Sequence, residues 1–205
     1  MNSPDYMRLR RSIRLKGYDY TQVGAYFITV CSYGRLNLFG QASSEGVHLN
    51  EFGSLAEAEW LKTGAVRSNV DLDEYVIMPN HFHGILIISG TVGEGTARHA
   101  PTAPRFGESI PSSLGAIIGS FKSAATRAIN RVRRTPGQPI WQRNYYEHII
   151  RDDPSLNRIR EYILTNPTRW GLDRENPDRN GTDEFDLWLR QFRRHQGQDV
   201  LQAGK

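Results

Sequence analysis

The sequence predicts an α+β fold in which helices pack on an antiparallel sheet of four to five strands. Three observations carry that expectation: short β-branched and aromatic runs bounded by turn residues, two apolar runs meeting at Pro79-Asn80, and a long stretch with strong helical periodicity after Ser113. The 205 residues suffice for one packed core.

Residues 1–24 are basic and polar and read as an arm leading into the domain. Ala25-Tyr26-Phe27-Ile28-Thr29-Val30-Cys31 has the composition of a buried first strand and stops at Gly34. Phe52, Leu55, Ala56 and Trp60 then recur at near-helical spacing behind Asn50, a candidate N-cap, which predicts a helix over about residues 51–63. The second strand, Tyr75 to Met78, reverses at Pro79-Asn80 into a third, His81 to Ile88. Residues 90–111 are rich in Gly, Thr, Ala and Pro without periodicity and read as an inserted flexible loop. Leu114, Ile117, Ile118, Phe121, Ala125, Ala128, Ile129 and Val132 mark the apolar stripe of a second helix with Lys and Arg opposite. Pro139 to Ile150 reads as a fourth strand, and Asp153 with Pro154 opens a third helix that Pro167 ends. After Trp170 the chain is a polar tail with a short helix around Glu184 to Arg193, and the last dozen residues read as disordered. The order β, α, β, β, α, β, α is the split βαβ, ferredoxin-like arrangement with one added C-terminal helix.

Composition bounds the chemistry. Hydrophobic residues at 38% and charged residues at 23% describe a globular chain, and no apolar run approaches the ~20 residues needed to span a bilayer. A soluble, cytoplasmic protein is therefore expected, since nothing at the N-terminus reads as a secretory signal. Cys31 is the only cysteine, which excludes an intrachain disulfide and a thiolate metal cluster; any metal uses His, carboxylate, amide or water ligands. The net charge of +4 is a mild hint at a polyanion. Its placement says more: Arg8, Arg10, Arg11, Arg14 and Lys16 crowd the arm, and Lys122, Arg127, Arg131, Arg133 and Arg134 follow the second helix. A solvated charged face is the alternative for either cluster.

Two positions apart on a strand, His81 and His83 project from the same face, while Phe82 points the other way. That geometry chelates one divalent ion, with further positions left for water or a phosphate oxygen; two ordinary polar residues on a half-exposed strand would look the same. Tyr162 and Asn166 lie one helical turn apart, so a nucleophile and an amide ligand share a face there, although Tyr162 also neighbours the apolar stripe of Ile159 and Ile163. Trp141, Tyr145 and Tyr146, interleaved with Gln142, Arg143 and His148, form either a base-stacking strip or a strand packing inward; Tyr145 and Tyr146 are also rival nucleophiles. Phosphate-loop, serine-triad and paired-carboxylate signatures are missing.

Three ordered blocks, Tyr75-Val76-Ile77-Met78-Pro79-Asn80-His81-Phe82-His83, Trp141 to Arg151, and Tyr162-Ile163-Leu164-Thr165-Asn166-Pro167, resemble the REP-associated tyrosine transposases, a branch of the single-tyrosine HUH transposases. The likeness runs from about Arg11 through Trp170 and includes Ser12 to Tyr20. It implies a catalytic domain over 25–170, between the arm and a polar tail at 171–205. It implies that His81, His83 and, less directly, Asn166 hold Mg²⁺ or Mn²⁺, since family members often use Gln at that last position. Tyr162 would attack a phosphodiester in single-stranded DNA beside a small hairpin, giving a 5′-phosphotyrosine. Arg8, Arg10, Arg11, Arg14, Lys122, Arg127, Arg131, Arg143, Tyr145 and Tyr146 are the implied DNA contacts. No membrane partner is implied, and both a monomer and a homodimer fit. A replication-initiator or relaxase-type nickase and a non-catalytic nucleic-acid binder remain the alternatives.

Overall fold

The computed structural model describes residues 19–90 and 113–191. Eleven elements follow from Gly24: strand β1 (Gly24–Cys31), a 3₁₀ turn (Tyr33–Arg35), β2 (Gly40–Ser43), β3 (Gly46–Leu49), α1 (Glu51–Ala65), β4 (Val70–Met78), β5 (His81–Ile88), α2 (Leu114–Arg133), β6 (Tyr146–Ile150), α3 (Asp153–Thr165) and a second 3₁₀ turn (Pro167–Leu172). Residues 184–191 form a further helix, α4.

The main sheet has the order β4-β5-β1-β6 with every pair antiparallel, while β2 and β3 make a separate hairpin. Setting the hairpin aside, this is the ferredoxin-like order expected from the sequence. Side chains alternate across β1 and β5. Tyr26, Ile28, Val30, Phe82, Leu86 and Ile88 join Trp60 of α1 and Leu114, Ile117, Ile118, Phe121, Ala125 and Ile129 of α2 in one core. The opposite face, through Phe27 and Ile85, packs on Ile159, Tyr162 and Ile163 of α3 and on Phe185 and Leu189 of α4. The sheet is thus the middle of three layers.

Local chemistry explains the helix starts. Asn50 Oδ1 accepts from Phe52 N and Gly53 N, and Ser113 Oγ accepts from Ala116 N, as N-caps do. The third cap is Asp152, whose Oδ1 accepts from Ser155 N at 2.8 Å, one residue before the expected Asp153. Two strands differ from expectation. β4 begins at Val70, through an acidic run that carries a register shift between Leu72 and Tyr75. The predicted strand over 139–150 contracts to Tyr146–Ile150. Upstream of it only Trp141 bridges to Ser32, because Lys122 Nζ takes the Gln142 and Arg143 carbonyls at 2.7 and 2.9 Å, oxygens a ladder would need. The β2–β3 hairpin is short and largely polar, and it shows no apolar alternation in sequence.

The predicted loop at 90–111 lies outside the described residues except for Gly90. The expected disorder of the last dozen residues lies outside them as well. Among the described residues no helix is long and apolar enough to cross a membrane.

Candidate metal and tyrosine site

The Pro79-Asn80 turn delivers the chain into β5 at the end of the sheet where β1 finishes. His81 stands opposite Cys31 and His83 opposite Thr29. Both imidazoles therefore occupy the α3 face of the sheet, and both are buried. Phe82 fills the other face against Trp60, with ring centroids 4.6 Å apart. From above, α3 contributes Tyr162, and the 3₁₀ turn that follows returns the chain so that Asp173 meets the same point.

Five polar side chains converge there. His81 Nε2 and His83 Nε2 lie 2.9 Å apart. Asp173 Oδ2 is 3.6 Å from the first and 3.8 Å from the second. Tyr162 Oη donates to Asp173 Oδ2 at 3.1 Å and lies 3.2 Å from His83 Nε2. Asn166 Nδ2 donates to the same Asp173 oxygen at 2.7 Å. The far nitrogens of both rings are held: His81 Nδ1 is 2.8 Å from Asn80 Oδ1, and His83 Nδ1 is 2.9 Å from Thr29 Oγ1. Asn80 is itself pinned, its Nδ2 donating to Glu175 O at 2.8 Å and Arg35 O at 3.3 Å. With its amide nitrogen so committed, Asn80 offers His81 an acceptor, which puts the proton on Nδ1 and leaves the Nε2 lone pair facing inward.

Burial sets the charge states. It pushes His81 down to about 3, against the attraction of Asp173, so the ring is neutral near pH 7. Asp173 also meets a burial penalty, yet His81, His83 and the Asn166 amide outweigh it and hold the carboxyl well below the usual range. Burial, followed by the Asp173 and Asp186 charges, raises Tyr162 well above an ordinary phenol, and Arg174 acts the other way. The site thus combines a neutral His81 imidazole, a carboxylate and a protonated phenol.

The donors fit a divalent cation. One ligand atom from each of His81, His83 and Asp173 lies within 4.8 Å of the others. Asn166 Oδ1 is buried without a hydrogen-bond partner, so an amide oxygen remains to be satisfied beside them. Two imidazole nitrogens with oxygen donors suit a first-row divalent ion such as Mn²⁺ better than an all-oxygen site would.

No family model matches the chain. A protein of Haemophilus influenzae that carries no functional description is 39% identical over 168 residues, covering 80% of this chain and 91% of that one, and the two belong to one family. A second protein of that organism, described provisionally as a REP-associated tyrosine transposase, is 25% identical over 154 residues, 75% of each chain. The chain is similar to a protein so described. Among solved structures, the REP-associated tyrosine transposase bound to a REP hairpin aligns with a TM-score of 0.49 at 20% identity, covering 75% of this chain and 72% of that one. A provisionally assigned transposase from Deinococcus radiodurans aligns with a TM-score of 0.38 at 14% identity, covering 73% and 93%.

The residues singled out by sequence separate into groups. His81, His83, Tyr162 and Asn166 come together. Arg127 and Arg131 are exposed on α2, which packs on the face of the sheet away from the histidines. Lys122 is held by the 142–143 backbone rather than standing free beside them. Arg143 is exposed near the end of β1, where Gln142 N donates to Cys31 O at 2.9 Å. Tyr146 is buried under the Arg174 guanidinium, 4.9 Å from its ring centroid, and meets Phe27 edge-on, the inward-packing alternative of the two read from the sequence. Tyr145 is half-buried against the α1–α2 core. Arg8, Arg10, Arg11 and Arg14 lie outside the described residues. Sequence reasoning passed over Asp173, Asn80 and Thr29. Asp173 sits in what reads as polar tail, and only the three-dimensional return of the chain reveals it; Asn80, directly before His81 in a turn, offered a faint signal.

Proposed function

We propose that this chain is a metal-dependent enzyme of the transposase kind that nicks single-stranded DNA beside hairpins and transfers the strand through a 5′-phosphotyrosine on Tyr162. The observation that carries this reading is the meeting of the Tyr162 hydroxyl with the His83 imidazole and the Asp173 carboxylate at hydrogen-bonding distances, with His81 Nε2 2.9 Å from His83 Nε2. Similarity to a protein described as a REP-associated tyrosine transposase supports the reaction class, and the hairpin in a similar solved complex suggests the kind of DNA.

His81, His83 and Asp173 would hold the ion, Mg²⁺ or Mn²⁺, with Asn166 Oδ1 as a further donor. When bound, it supplies positive charge to the non-bridging oxygens of a scissile phosphate. Tyr162 Oη forms the new bond to phosphorus, while the bond from phosphorus to the 3′ oxygen breaks and its electron pair leaves with that oxygen. The phenolic proton departs along the hydrogen bond to Asp173, a carboxylate too acidic to keep it, and passes to solvent. The leaving 3′ oxygen takes up a proton and becomes a hydroxyl. A different 3′ hydroxyl reverses these steps and joins the strand, because the phosphotyrosine conserves the diester linkage.

Incubation with single-stranded hairpin DNA and Mn²⁺ should give a protein–DNA adduct that survives denaturation. Tyr162→Phe should abolish it and still bind DNA, whereas Tyr145→Phe should retain it. An adduct that persists in Tyr162→Phe assigns the nucleophile elsewhere. Binding without cleavage under either metal makes the chain a non-catalytic binder.

A further inference from the structure

Three arginines surround the site, all three paired with carboxylates, and only Arg174 among them also lies over an aromatic ring among the described residues. Arg35 Nη2 pairs with Glu175 at 2.8 Å, and Arg169 Nη2 pairs with Asp183 at 2.9 Å. Arg174 differs. Its Nε donates to Glu175 Oε1 at 2.9 Å, its Nη1 lies 3.8 Å from Asp186, and its Nη2 meets no partner among the described residues. The guanidinium lies over the Tyr146 ring, and that aromatic support leaves its in-plane donors at the edge. Its backbone follows Asp173, the residue that accepts from Tyr162, and its carbonyl is held by Arg35 Nη1 at 3.4 Å. Its side chain keeps 21% of its exposure, whereas those of His81 and His83 keep 0% and 2%. Arg174 therefore stands at the solvent edge of the buried cluster, together with Arg35 and Arg169, whose side chains keep 31% and 35%.

We propose that Arg174 grips the non-bridging oxygens of the scissile phosphodiester and holds phosphorus before Tyr162. The inference rests on the strand-transfer reading above. Its necessity follows from charge: Asp173, Glu175, Asp183 and Asp186 are all buried around the site, and a phosphate entering among four carboxyl groups needs a fixed cation as well as a metal.

The test compares wild type, Arg174→Lys and Arg174→Met with Mn²⁺ and hairpin DNA carrying either an ordinary phosphodiester or an uncharged methylphosphonate at the cleavage position. On the diester, Arg174→Met should lower kcat for adduct formation by about 100-fold or more, and Arg174→Lys should recover part of it. Mn²⁺ affinity and melting temperature of Arg174→Lys should match wild type. On the methylphosphonate, the two variants and wild type should agree within about threefold, because the charge that Arg174 meets is gone. An equal loss on both substrates overturns the proposal and makes Arg174 a brace of the fold. A binding arm in the Tyr162→Phe background, with and without Arg174→Met, reads the same contact without chemistry: the affinity advantage of diester over methylphosphonate should shrink when Arg174 is removed, and an unchanged advantage also overturns it. If wild type forms no adduct, the strand-transfer reading fails, while the binding arm still decides Arg174.

Discussion

Asn80 shows how much a single side chain does at this site. Its oxygen fixes one nitrogen of His81, and its nitrogen joins the turn after β1 to the segment after α3. Replacing it leaves the imidazole free to turn and two buried carbonyls short of a donor. Asn80→Ala should weaken Mn²⁺ binding by about 10- to 100-fold in calorimetry, with His81 and His83 both intact. An unchanged affinity would mean that His81 is oriented by its packing on Trp170 instead, whose ring centroid lies 6.0 Å away. At this scale the sequence is legible where chemistry is local. His81 and His83 share a strand face and Tyr162 and Asn166 share a helix turn, so spacing alone presents them. Asp173 is joined to His81 and His83 by tertiary folding, and nothing in Asp173-Arg174-Glu175-Asn176-Pro177 distinguishes a ligand from a solvated tail.

Among the elements, α3 must sit correctly for Tyr162 to reach the histidines, and part of its anchorage is electrostatic. Arg160 of α3 meets Asp73 of β4 with two nitrogens, Nε at 2.9 Å. That hydrogen bond is the largest influence on Asp73 and lowers its pKa below the ordinary 3.8. The sign follows directly: the folded protein holds the carboxylate more firmly than the unfolded chain, so the contribution is complete above the ordinary value and fades as pH falls below it. Asp73→Asn should cost about 1 kcal/mol or less, because Arg160 is partly exposed. Urea unfolding should show that gap near pH 7 and its disappearance at about pH 2. A gap independent of pH would assign the loss to packing. The helices were readable through their caps and apolar stripes. The C-terminal strand was read too long, because aromatic content does not reveal a lysine from a distant helix claiming two of its carbonyls.

For the molecule as a whole, the sheet separates two tasks. One face is a sealed apolar core under α1 and α2, and Gly84 shows how tightly it is closed: a Cβ there would lie 2.5 Å from Phe82 Cζ and 3.0 Å from Trp60 Cζ2. Gly84→Ala should lower stability by roughly 1–3 kcal/mol in thermal or urea unfolding; a neutral result would mean that Phe82 swings aside freely. The other face carries the candidate site, with the exposed Arg127 and Arg131 on the far side. Any DNA that touches both regions has to wrap past the sheet edge. If it does, replacing both arginines with Ala should reduce the salt dependence of binding by about 1.4 in log–log slope, near 0.7 per single-strand phosphate contact, and leave the rate of adduct formation at saturating DNA unchanged. An unaltered slope confines binding to the site face. The layer order was legible from the alternation of element types, but the packing of the tail helix into the third layer was not, because residues after Trp170 bury Phe185 and Leu189 within a stretch whose average composition is polar.

β5 writes two messages in alternating letters: His81 and His83 for chemistry, Phe82 and Gly84 for the core. Because their separation depends only on the parity of the strand, inserting or deleting one residue just after Asn80 would drive an imidazole into the apolar layer and a phenyl ring into the polar one. Substitutions can damage one message and spare the other. A frame slip cannot, so length variation in this strand is closed to the lineage even where its individual residues remain free to change.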